Sequence, residues 1–229
     1  MSQRSLFTKR PTSKSAFFRQ YDALAKTRLS KNFILRDFLF STQSVVLGLS
    51  NYPEHPEHVI LAGKALCEKV LEPILEHFGQ FAVTFAYQSR ETLEHRWSPE
   101  KRQANRYSSN PHQWDRGTFG KAIYARVDIL PFCVEDGLVT KKEFGKWCMY
   151  KLDIDLLMHW HRGNIFCITI SPRPRRAWIE WGDTSLNQPK RTDLMGTRYW
   201  QEIYPTLPEH ERPRFAPSCT GGSLQWCGD

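Results

Sequence analysis

Basic and aromatic residues alternate between Arg96 and Arg116. The pairs are Arg96-Trp97, Lys101-Arg102, Arg106-Tyr107, and Trp114 with Arg116, and the mixture returns at Arg173, Arg175, Arg176 and Trp178. Arginine and lysine neutralise phosphates while exposed aromatic rings stack on bases, so this interleaving suits nucleic-acid binding. Core tryptophans beside a solvated arginine face would produce the same letters. His159 and His161 flank Trp160. On a strand they share one face, because side chains alternate with a period of two, and there they could supply an acid–base group or a ligand, or lie on the surface. His112-Gln-Trp-Asp115 puts an imidazole and a carboxylate close together, a pairing that could serve chemistry on nucleic acid or nucleotides. No Gly-rich phosphate loop accompanies it.

The bulk composition sets bounds on these readings. A chain of 229 residues, 40% apolar, is long enough to bury a core as one domain with tails, and wholesale disorder is excluded. The net charge of +8 favours anionic partners, nucleic acid among them, or serves solubility alone. Six cysteines are scattered without a Cys-x-x-Cys pair, which excludes a zinc ribbon or thioredoxin motif and leaves free thiols as the expectation. Residues 1–32 carry Arg4, Lys9, Arg10, Lys14, Arg19, Lys26, Arg28 and Lys31 against Asp22 alone, with no apolar signal core. No apolar run approaches the roughly 18 residues of a membrane span. A cytoplasmic protein is expected.

The elements that must position these residues follow from periodicity. Residues 1–32 read as a basic arm, pinned in part by Phe17, Phe18 and Tyr21, with a body over 33–182 and a Pro-rich extension over 183–229. Ile60, Leu61, Ala65, Leu66, Val70, Leu71, Ile74 and Leu75 recur at helical spacing over 59–78, with a kink expected at Pro73 and a stop at Gly79. Strands are predicted over 81–87, 122–130, 165–171 and 177–181. Most of 91–120 reads as loop. A helix starts at Lys141 behind a Thr140/Glu143 capping box. Tyr199, Trp200, Ile203 and Tyr204 suggest a docked segment in the extension. The sum is an α+β domain with a mostly antiparallel sheet and flanking helices.

The order of these segments carries a resemblance. Phe33-Ile-Leu-Arg-Asp-Phe-Leu-Phe-Ser, Gly48-Leu-Ser-Asn-Tyr-Pro and Leu66-Cys-Glu-Lys-Val-Leu-Glu-Pro-Ile-Leu-Glu-His-Phe-Gly are followed by Ala86-Tyr-Gln-Ser, Ser109-Asn-Pro-His, Ala125-Arg-Val-Asp-Ile, Leu152-Asp-Ile-Asp and Ala177-Trp-Ile-Glu-Trp. From about Phe33 to Gly182 this resembles the zinc D-Ala-D-Ala peptidases of phage and bacterial type, which implies a Hedgehog/DD-peptidase fold. Members of that family hold zinc with two histidines and an aspartate, leave one position open for water, and use a glutamate as base and a turn arginine on the oxyanion.

Carried over position by position, the resemblance implies His112 and Asp128 as the first two ligands. The closing histidine falls on Glu180, which would make the site harder and admit manganese or magnesium in place of zinc. A different alignment puts Cys167 there, a residue that reads equally as plain core. The base position falls near Trp160, so His159 or His161 would act in its stead. The turn arginine is replaced by Gln88, with Arg90 two positions on. These departures imply that ordinary peptidase activity is altered or lost. Three functions stay open: a metal-dependent hydrolase, a nucleic-acid-binding protein with no metal, and an enzyme acting on nucleic acid or nucleotides.

Overall fold

A computed structural model describes residues 13–96, 111–115, 124–160, 162–172, 174, 176–182 and 191–195. The chain divides into two compact units that interleave along the sequence, one of residues 1–72 and 85–127, the other of residues 73–84 and 128–229.

The first unit is helical. Helix α1 (Lys14–Ala25) lies within the expected basic arm; Ser13 caps it, and Leu24 and Ala25 are buried. Rings of Phe17 and Tyr21 meet Tyr52 at 5.5 and 6.3 Å and supply the expected pinning, whereas Phe18 is 59% exposed and its ring meets that of Phe17. Two short helices follow, α2 (Arg36–Leu39) and α3 (Thr42–Val46), which no periodicity announced because each is about one turn long. Helix α4 (Pro56–Leu66) starts on a proline at its first turn, where the missing N–H has no intrahelical partner to lose. It runs on through a π-helical turn (Cys67–Leu71) into α5 (Glu72–Phe78). The wide turn sits directly ahead of Pro73, whose ring and absent N–H break the regular ladder there. Leu35, Phe38, Val59, Leu66 and Val70 are fully buried, and Gly63 leaves room for Leu29 and Trp114. Helix α6 (Arg90–Arg96) occupies the start of a stretch expected as loop.

The second unit holds most of a six-stranded mixed sheet of order β1-β2-β4-β3-β5-β6. The strands are β1 (Phe81–Phe85), β2 (Ala125–Pro131), β3 (Leu156–Trp160), β4 (Phe166–Ile170), β5 (Ala177–Trp181) and β6 (Arg191–Met195). β3 pairs antiparallel with β4 and parallel with β5, and β5 pairs antiparallel with β6. Gly79, at φ 80°, ends α5 as its sequence position predicts, a backbone state open to glycine without steric cost. A short α7 (Phe132–Glu135) precedes α8 (Lys141–Lys151), whose Thr140/Glu143 capping box is formed on both sides. Phe144 of α8 packs on Phe166 at 4.5 Å, and a methyl group at Gly145 would sit 2.2 Å from the Trp178 ring. Gly145 is therefore the gap through which α8 settles onto the sheet.

The α+β class and the mostly antiparallel sheet with flanking helices agree with the sequence reading. Among the described residues, no helix is long and apolar enough to cross a membrane, and Cys67, Cys133, Cys148 and Cys167 are free thiols. The expected docked segment at Tyr199–Tyr204 lies outside the described residues, as do Cys219 and Cys227.

Candidate metal centre

Strand β2 presents its residues alternately, with Ala125, Val127, Ile129 and Pro131 buried and Arg126, Asp128 and Leu130 half-buried. The Ala-Arg-Val-Asp-Ile order thus sends Asp128 away from the face that buries Val127 and Ile129. On β4, Cys167 stands opposite Met158, while Phe166 stands opposite His159. Paired residues share a face and neighbours alternate, so Cys167 and His159 point to opposite faces of the sheet.

His112 is held by Ala86 and Gln88, just past strand β1, and by the last residue of that strand, Phe85. Its Nδ1 lies 2.7 Å from the Ala86 carbonyl, and its own carbonyl accepts from the Gln88 N–H at 2.9 Å. Phe85 meets its ring edge-on at 4.5 Å. A carbonyl only accepts, so Nδ1 carries the proton and the lone pair of the neutral ring is at Nε2. This is the arrangement that fixes metal-binding imidazoles in one tautomer and one orientation. His112 is 7% exposed.

His112, Asp128 and Cys167 each offer one ligand atom, and these atoms all lie within 4.8 Å of one another. The cluster could hold a metal ion. Ligand atoms around a tetrahedral zinc are roughly 3.3–3.8 Å apart, from bonds of about 2.0–2.3 Å. One nitrogen, one oxygen and one thiolate sulfur, with a fourth position left over, form a donor set that suits zinc.

Glu180 is not in this group, and the sheet register gives the reason. It pairs with His159 across β3 and β5, which puts it on the His159 face, away from Cys167. There Trp178 Nε1 donates to His159 Nδ1 at 3.1 Å, so the remaining proton sits on Nε2, 3.5 Å from Glu180 Oε2. Phe166, Trp178 and His159 form one aromatic cluster on that side, beneath α8. Among the described residues the cluster includes Cys167, the residue of the alternative alignment, and not Glu180. His159 is corrected, from a catalytic group beside the ligands to a buried member of the opposite face. His161 lies outside the described residues.

The positions expected to steady an oxyanion are already engaged. Gln88 is fully buried, and its amide donates to Ser41 Oγ at 3.0 Å and Gln43 Oε1 at 2.9 Å. It braces α3 against the turn that grips His112. Arg90 is ion-paired with Glu94, one helical turn along α6.

The described members of the expected nucleic-acid surface, Trp114, Arg176 and Trp178, are all buried. Trp114 is 3% exposed, donates from Nε1 to the Arg126 carbonyl at 3.1 Å and packs on Phe38 and Tyr87. A ring so enclosed cannot stack on a base. Arg176 is buried at φ 51°, with Nη1 on the Met149 carbonyl at the end of α8. It is a structural clasp and not a phosphate contact. Lys101, Arg102, Arg106, Arg116, Arg173 and Arg175 lie outside the described residues, as does the side chain of Arg96.

No protein-family model, no curated protein and no solved structure matches the chain.

The sequence reading named Asp115 only beside His112, as a pairing for chemistry on nucleic acid or nucleotides, and did not foresee its hydrogen-bonding role. It is buried, and its Oδ2 accepts from the N–H groups of Glu54 at 2.8 Å and His55 at 3.3 Å and from the Tyr87 hydroxyl at 3.0 Å. Burial pushes its carboxyl above the ordinary range, against the pull of those hydrogen bonds. Its place three residues after a candidate ligand was the only signal available.

Proposed function

We propose that the chain is a zinc-dependent hydrolase, a divergent relative of the zinc D-Ala-D-Ala peptidases in which His112, Asp128 and Cys167 hold the metal. The carrying observation is the approach of one imidazole, one carboxylate and one thiol to within 4.8 Å of each other. Two of the three are the residues to which the sequence resemblance assigns ligand roles, and the third is supplied by the strand that the other alignment selects. Zinc held there would supply Lewis-acid activation of water and of a carbonyl. The thiolate favours zinc over manganese or magnesium, which prefer oxygen donors.

What the chain's own groups contribute is orientation. The Ala86 carbonyl keeps the His112 lone pair on Nε2, and the β2 alternation keeps Asp128 on the ligand side. With Gln88 and Arg90 engaged elsewhere, transition-state charge would be steadied differently from the family pattern, and ordinary D-Ala-D-Ala peptides are not expected to be good substrates.

Metal content of the purified protein, after reconstitution with zinc and dialysis, tests the reading. One zinc per chain is expected, lost in His112→Ala, Asp128→Ala and Cys167→Ala. The cobalt-substituted protein should show thiolate-to-metal charge transfer that disappears in Cys167→Ser. A wild-type chain that retains no zinc would overturn the proposal. A zinc-loaded chain hydrolysing no amide or ester in a broad substrate panel would remove the hydrolase part and leave the metal site.

A further inference from the structure

Segment 111–115 is fixed at each end of its described length by the same three residues. Ala86 accepts the His112 ring N–H at 2.7 Å, Gln88 N–H donates to the His112 carbonyl at 2.9 Å, and between them the Tyr87 hydroxyl reaches the Asp115 carboxylate at 3.0 Å. Asp115 in turn grips two successive N–H groups, of Glu54 and His55, at the entry to α4. Its main-chain carbonyl lies 3.3 Å from His58 Nδ1, one turn into that helix. Trp114, between the two, is tied to Arg126 on β2, two residues before Asp128. His112 is tethered to the backbone at Ala86 and Gln88. Asp115 converts that attachment into a closed loop anchored on a helix of the core.

A carboxylate accepting three donors on one buried oxygen is an expensive device for holding a loop in place, because the group must be stripped of water. Capping α4 alone would be done as well by a serine or asparagine at the N-cap. The N-cap position is held by His55, which makes no side-chain cap, and Asp115 instead holds the two N–H groups just ahead of the first helical residue, 60 positions from His55 in sequence. What the remote carboxylate adds is the connection to residue 112.

We propose that Asp115 is the positioning residue of the metal centre, setting the angle at which His112 Nε2 is presented by locking segment 111–115 to the Ala86–Gln88 turn and to the start of α4. The inference rests on the reading of His112 as a ligand. Loss of partners that orient a metal-binding histidine typically weakens metal affinity about 10–100-fold, and that is the loss expected for Asp115→Ala. Asn at this position keeps one oxygen for the three donors and should restore most of the affinity.

The test is zinc affinity by competition with a chelating dye, together with the ligand-field spectrum of the cobalt protein, well below the melting temperature of every variant. Glu72→Ala is the control. It removes a carboxylate that holds Ser30 at 2.7 Å and Asn32 at 2.7 and 2.6 Å in the same unit, with no link to His112, and should lower the melting temperature while leaving affinity and spectrum unchanged. Should Asp115→Ala fail to fold, Tyr87→Phe breaks the link to the turn alone, and weakened zinc binding is expected there. Asp115→Ala or Tyr87→Phe with wild-type affinity and an unaltered cobalt spectrum would overturn the inference while leaving the metal site standing. A wild-type chain without zinc would instead overturn the functional reading on which it rests.

Discussion

His112 has one lone pair to offer, and the carbonyl of Ala86 decides which nitrogen carries it. His159 is locked in the opposite tautomer, with Nδ1 accepting from the Trp178 indole and Nε2–H turned toward Glu180. Two histidines of one chain are thus assigned different work by their neighbours. Protonating His159 at Nδ1 would set two N–H donors face to face, so the ring belongs to the packing beneath α8 and not to a proton relay. Glu180, 26% exposed, stands across the pair. Glu180→Gln should therefore leave zinc stoichiometry and affinity at the wild-type level, measured beside Cys167→Ala, which should lose both. Equal losses in the two variants would mean that the sheet faces are assigned wrongly.

At the scale of elements, the packing of α8 on the sheet depends on one missing methyl group. Gly145→Ala would drive a Cβ into the buried Trp178 ring, and overfilling a packed core of this kind costs about 1–3 kcal/mol. Urea titration should register that loss. The near-ultraviolet circular dichroism should change with it, since Trp178 cannot stay where it is.

Elements of several turns or clear alternation were legible in the sequence. The helix over 56–78, its stop at Gly79, the capping box at Thr140 and the apolar run of β4 follow from local rules that their residues obey. Helices of one turn, such as α2 and α3, have too few residues to show a period, and their stability comes from tertiary partners such as Gln88 and Thr92. Which of Glu180 and Cys167 lies beside His112 and Asp128 was left open by the sequence for a different reason. Choosing between Glu180 and Cys167 needs the register of β3 with both β4 and β5, and register is a relation among strands that no single strand encodes. The role of Asp115 escaped because its donors come from residues 54, 55 and 87, far apart in sequence.

Taken as a whole, the chain balances carboxylates of opposite tendency. Glu72 feels some desolvation, but hydrogen bonds from Ser30 and Asn32 outweigh it and hold its pKa below the usual value. A carboxyl with a lowered native pKa contributes stability above its unfolded value, and that contribution is lost as pH falls through the native one. Asp115 has a raised native pKa, so its contribution has the reverse sense: present below the unfolded value and lost as pH rises through the native one. Acid unfolding should accordingly be flatter in Glu72→Gln than in wild type as pH falls below the ordinary carboxylate range near pH 4, with parallel behaviour between there and neutrality. Stability by urea at several pH values checks it; curves that stay parallel below that range too would show that the Ser30–Asn32 clamp does not couple to the proton.

The interleaving of the two units along the chain has a consequence during synthesis. Residues 73–84 leave the ribosome before the segment that completes the first unit, and residues 85–127 must be made before any of 128–229 can join them. At roughly 5–20 residues per second, the end of α5 and strand β1 wait several seconds with their apolar side chains unclaimed. The first unit is complete once residue 127 is made, whereas the second holds only residues 73–84 at that point and must wait for 128–229. The nascent chain therefore passes through a window in which Ile74, Phe78 and the β1 strand are exposed to chaperones or to other chains, and slowed translation across 85–127 would lengthen that window.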